Sequence, residues 1–171
     1  MNKNLLLTAL ILGTAPTLAT AATMTLSSTD KAFVPKAAMG NQFEIEAAKL
    51  ATSMSMSSEV KSYAQKMITD HTKLGASIKA AVMKADPSMM LPSSVSPAQQ
   101  KMLVALKAAG KNFDALYRKD MDVSHAETYA LFQKYSKAAD ANAALKTVVK
   151  GALPTVKMHW DTAKKLPAMS M

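Results

Sequence analysis

Three histidines and one glutamate stand where this 171-residue chain should be apolar. His71 and His159 fall on apolar stripes of helical period, and His125 lies at the edge of a third, beside Met121 and Phe132. Glu44 takes the same kind of position on the first stripe, whereas Glu46 points to the opposite side of the helix. Imidazole and carboxylate groups inside a bundle need hydrogen-bond partners or a metal ion. Met67 precedes His71 by four residues and Met121 precedes His125 by four, so each pair shares one helix face. Met158 adjoins His159. The candidate ligands are therefore Glu44, His71, His125 and His159, with Met67 and Met121 as auxiliary soft donors. Copper or iron is the candidate ion, and thioether plus imidazole matches copper(I) better. Met54-Ser55-Met56 and Met169-Ser170-Met171 are further thioether pairs. Against this stands a bland alternative. Methionine is a common gap-filler in helical cores, and a buried neutral histidine can be satisfied by Glu44, Asp70, a tyrosine hydroxyl or a backbone carbonyl.

Other chemistries find no support. The chain has no cysteine, which removes disulfides and thiolate ligands. Asp122 and His125 form a D-x-x-H pair, weakly like the Glu-x-x-His element of di-iron bundles, but Ile68 stands three residues before His71 and the carboxylate set is incomplete. Asp70, about 100° around the helix from His71, reads as a surface or capping acid. No nucleophile motif, H-E-x-x-H or phosphate-binding glycine loop occurs.

The N-terminus has the pattern of a cleavable secretory signal over residues 1–21. Lys3 gives the positive region, Leu5 to Leu12 the apolar run, and Ala19-Thr20-Ala21 the small-residue cleavage site. That pattern predicts a periplasmic protein, and no later segment is apolar enough to cross a membrane. The formal charge is +9, and Arg118 is the sole arginine among 21 basic residues. Scattered lysines without arginine clusters or stacking aromatics argue against a nucleic-acid partner. They leave weak attraction to anionic envelope surfaces, with the oligomeric state open.

The elements that must position these residues are helices. A flexible lead-in over 22–28 precedes a bundle domain over 29–166, and 167–171 reads as a disordered tail. Helix 1 runs from about Asp30 to Met54, with a stripe through Phe33, Ala37, Gly40, Glu44, Ala47 and Ala51. Helix 2 starts after Ser57 as N-cap and ends at Asp86-Pro87. Residues 87–95 form a loop, and Ser96-Pro97-Ala98-Gln99 resembles a capping box that opens a short helix ending near Gly110. Helix 4 spans about Lys111 to Ala138. Asp140 is the expected cap of helix 5, inside which Pro154 should produce a kink.

Four long helices and one short one predict an all-α, ferritin-like four-helix bundle whose long crossover carries the extra helix. With that crossover, helix 4 runs parallel to helix 2. Measured from the turn between helices 1 and 2, His71 and His125 then lie at a depth of about 21 Å, Glu44 near 16 Å and His159 near 13 Å. One polar group from each long helix thus falls in a band of about two turns.

At these residues the chain resembles the exported bacterial family called domain of unknown function 4142. The likeness rests on Gly40-Asn41-Gln42-Phe43-Glu44-Ile45-Glu46, on Val60-Lys61 through Met67 to Asp70-His71-Thr72, and on Phe113-Asp114 with Tyr117 and Met121. It continues in His125 ahead of Leu131-Phe132 and in Leu153-Pro154 before His159. The resemblance implies a ferritin-like bundle and no particular activity. One departure is Val123-Ser124, where the family often places an acid next to the histidine. Two functions follow as expectations: a metal-binding protein of envelope or metal stress, or a non-enzymatic structural or interaction protein with purely structural histidines.

Overall fold

A computed structural model describes residues 25–168. The signal sequence expected at residues 1–21 and the Met169-Ser170-Met171 element lie outside the described residues. Within them every regular element is helical: α1 (Ser28–Met54), α2 (Ser58–Ala85), α3 (Pro97–Ala108), a 3-10 turn (Gly110–Asn112), α4 (Phe113–Lys137) and α5 (Ala143–Ala163). Among the described residues no helix is long and apolar enough to cross a membrane.

Capping chemistry sets most of the boundaries. Ser27 and Asp30 form a reciprocal box at the start of α1, and Ser96 and Gln99 do the same at α3, where Pro97 takes the first position. Ser57 caps α2 through the Val60 N–H. After α3, Gly110 adopts φ 53°, a left-handed conformation that residues with a Cβ rarely adopt, and so redirects the chain into α4. The cap of α5 differs from expectation. Asn142, not Asp140, accepts the N–H groups of Ala144 and Leu145, because Asp30 holds the Asn142 backbone N–H in place at 2.9 Å. Pro154 and Pro35 both lie inside helices that continue through them. Each lacks an N–H for the carbonyl one turn earlier, but the packed neighbours hold the run together.

Direction follows from contacts. Phe33, near the start of α1, stacks on Tyr135, near the end of α4, with ring centres 3.8 Å apart. Ala47 and Ala51, near the end of α1, pack in one cluster with Phe113 and Tyr117, near the start of α4. The Tyr63 hydroxyl of α2 donates to the His159 carbonyl of α5, while Ile78 and Val82 share a cluster with Leu145 and Val149. So α1 is antiparallel to α2 and α4, α5 is antiparallel to α2, and α2 and α4 run parallel on the diagonal. The segment between them climbs the bundle: Met89 and Leu91 pack on the lower apolar cluster, Val95 and Leu103 on the upper one. This is the single long crossover with its extra helix that the loop length predicts.

Two apolar clusters fill the bundle. Phe43, Met67, Leu106, Tyr117 and Met121 lie in the upper one, Phe33, Ile78, Phe132, Leu145 and Val156 in the lower. Each such side chain contributes about 1.5–3 kcal/mol on full burial. The polar groups Glu44, His71, His125 and His159 occupy the layer between the two and are all almost fully buried.

Candidate metal centre

Each long helix places one of the sequence-predicted groups in that layer. Glu44 comes from α1, His71 from α2, His125 from α4 and His159 from α5. The ring centres of the imidazoles lie 5.5, 5.7 and 5.8 Å apart. The middle of that triangle is about 3.3 Å from each centre, close to the roughly 3.2 Å expected for a metal bonded to imidazole nitrogens at about 2.0–2.1 Å. Ligand atoms of Glu44, His71 and His125 all fall within 4.8 Å of one another.

Hydrogen bonds fix what each ring offers. His125 donates its Nδ1–H to the Met121 carbonyl at 2.8 Å, so Nε2 carries the lone pair; this atom is buried and has no hydrogen-bond partner. His71 Nδ1 lies 3.1 Å from both Asn41 Oδ1 and Glu44 Oε2, and hydrogen-bond alignment favours Asn41. Glu44 Oε2 is thereby left buried without a hydrogen bond, while Oε1 accepts from Ser124 at 2.8 Å and Thr128 at 3.5 Å. His159 turns Nε2 outward to Asp70 Oδ2 at 2.9 Å, and Lys66 pairs with the same oxygen at 3.0 Å. Every group has one side oriented by a neighbour, which is how outer-shell partners orient metal-binding side chains.

Electrostatics favour neutral His71 and His159 rings beside a charged Glu44. Burial opposes ionisation of Glu44, but His125, His71 and the Ser124 hydroxyl outweigh it and hold its pKa below the ordinary value. Burial lowers the pKa of His71, with Glu44 opposing. Burial and then the two neighbouring imidazoles push His159 down to about 4, against the pull of Asp70. Neutral rings with free nitrogen lone pairs are the form that binds metal ions.

Of the four central groups, His159 stands outside the set whose ligand atoms lie within 4.8 Å of one another. Met67 and Met121 are fully buried in the upper apolar cluster, and it is the Met121 carbonyl that meets His125. Asp122 accepts the Trp160 indole N–H at 2.6 Å and takes no part in the cluster. Asp70, read from sequence as a surface or capping acid and among the partners open to a buried histidine, is half-buried, and its carboxylate is the partner of His159. Asn41, Ser124 and Thr128 were not singled out by sequence. Asn41 and Ser124 are buried polar residues that meet His71 and Glu44 across helices, a relation that only the helix–helix register reveals. Gly75 belongs with them, since a Cβ there would stand 2.8 Å from Asn41 Nδ2.

A family model described as "Domain of unknown function (DUF4142)" matches residues 15–166. The chain belongs to the DUF4142 family. No curated protein and no solved structure matches it. The matched DUF4142 region contains all four central groups and the residues that orient them. The Val123-Ser124 departure also gains a physical account: Ser124 supplies a hydroxyl to Glu44, and a backbone carbonyl orients His125.

Proposed function

We propose that this DUF4142 chain binds one first-row transition metal ion, iron or copper, through Glu44, His71 and His125, with the His159 ring beside them and one side of the ion left open. The observation that carries this reading is a pair of buried atoms that accept no hydrogen bond, Glu44 Oε2, 3.1 Å from His71 Nδ1, and His125 Nε2, in a group that converges with His71 within 4.8 Å. An unsatisfied buried polar atom costs about 1–3 kcal/mol, and a single cation would satisfy both at once. Two imidazoles and one carboxylate with an open side form a donor set used by non-haem iron, and imidazole also suits copper. The one-crossover topology is that of ferritin-like bundles, which supports the fold without assigning a role. With the export signal read at residues 1–21, the proposed setting is the periplasm, in defence against metal or envelope stress.

Trp160, adjacent to His159, reports binding. Titrating iron(II), copper(II) or zinc into the full chain should quench its fluorescence, and saturation at about a hundred times Kd should stabilise the fold by roughly 2.7 kcal/mol. Glu44→Ala and His125→Ala should each remove both effects. The alternative, a structural polar network in an envelope scaffold, predicts no metal-dependent melting shift and a His71→Leu variant as stable as the parent. Elemental analysis of protein taken from its native source should find the metal at one per chain, and its absence there together with flat titrations would end the metal reading.

A further inference from the structure

The centre has a side that faces a groove. Between α2 and α5 runs a depression of about 300 Å³ whose walls include His71, Lys73 and Ser77 on one side and Thr147, Gly151 and Thr155 on the other. Of the candidate ligands, only His71 lines it. Val156 in its wall stands one turn before His159, the ring that turns its Nε2 toward Asp70. A second groove, between α1, α3 and α4, ends instead on Ser124 and Thr128, whose hydroxyls are already engaged by Glu44. Of these two grooves, the α2–α5 one has a candidate ligand in its wall.

Charge selects what fits the open side of the ion. A divalent ion held by one carboxylate and neutral imidazoles keeps a net single positive charge in a dry layer, and a fourth ligand of one negative charge would neutralise it. The groove suits such a ligand. Asp70, its one acidic wall residue, is engaged by His159 and Lys66, whereas Lys73 is exposed at the mouth with the Ser77, Thr147 and Thr155 side chains beyond it. At Gly151, in the opposite wall, an added Cβ meets nothing within 4 Å, so there is open space that a larger side chain would fill.

We infer that the metal centre carries an exchangeable position for a small monoanion of the size of hydroxide, azide or superoxide, reached through the α2–α5 groove past Gly151. This rests on the metal reading above, and the test separates the two. The full chain loaded with copper(II) is titrated with azide, and a ligand-to-metal charge-transfer band is followed by stopped flow. The expected result is one azide per copper, no band without copper, and association slowed at least about tenfold by Gly151→Leu on one wall or Ser77→Leu on the other, with copper affinity within about twofold. Lys73→Glu should slow association further as the salt concentration falls. Copper binding without an azide band would show that His159 completes a closed four-ligand site, and would overturn this inference alone. Azide association unaffected by both groove-filling variants would also overturn it. Failure to bind copper at all would remove both readings.

Discussion

Exchanging Gly75 for alanine sets two opposing effects against each other, and the structure says which prevails. In a helix interior alanine is favoured over glycine by about 0.8–1.0 kcal/mol, so propensity alone predicts stabilisation. The new Cβ would stand 2.8 Å from Asn41 Nδ2, closer than real contacts allow, so the Asn41 amide must turn away. Its Oδ1 is the acceptor for His71 Nδ1 at 3.1 Å, and both side chains are buried. A buried donor stripped of its partner costs about 1–3 kcal/mol, which matches or outweighs the gain. Gly151→Ala is the internal control: it lies in α5 with open space at its Cβ, so it should simply gain about 1 kcal/mol. The two variants should therefore differ by about 1–3 kcal/mol, a separation of roughly 1 M in urea midpoint for typical slopes. Repeating Gly75→Ala in an Asn41→Ala background removes the clash, and there the substitution should become stabilising. Equal effects of the two glycine substitutions, or a Gly75 penalty that survives without Asn41, would refute the account of how His71 is oriented. A correct account also predicts a 10–100-fold weaker metal affinity in Gly75→Ala, about the usual effect of losing an outer-shell partner.

Acid should loosen the metal-free protein. An unfolded His159 takes up its proton near the ordinary value of 6.5, but in the folded chain only near 4, so stability is full above that window and falls as pH drops through it. The loss is up to about 3 kcal/mol, read as the shift in urea midpoint between about pH 7 and pH 4.5, and a flat profile would contradict the burial of this ring. His71 contributes with the same sign, while the lowered pKa of Glu44 adds its own loss only below the ordinary carboxylate value. Ser124→Ala removes the shorter of the two hydroxyl contacts to Glu44 Oε1 and should cost about 1.5–3 kcal/mol in chemical denaturation, against near-neutral behaviour for Ser53→Ala on the exposed face of α1.

The fold was legible because local and global signals agree. Ser57 and the Ser96–Gln99 box mark two helix starts, the 87–95 segment is too long for a tight turn, and the stripes through Ala47 and Met67 face inward as their spacing requires. The cap at Asn142 was not legible, because it depends on Asp30, 112 residues away in sequence. The same distinction governs the site. Glu44, His71 and His159 announce themselves as polar groups on apolar stripes. Asn41, Ser124 and Asp70 act through partners on other helices, and no period along one helix reports that.

The parallel diagonal of α2 and α4 divides the molecule into two antiparallel pairs joined by one strap. One pair brings Glu44 and His71, the other His125 and His159, and neither half owns a complete set. An ion at their junction would act as a clasp across the seam. A protease cut in the strap would leave the pairs joined by the two apolar clusters, and the ion would add to that hold.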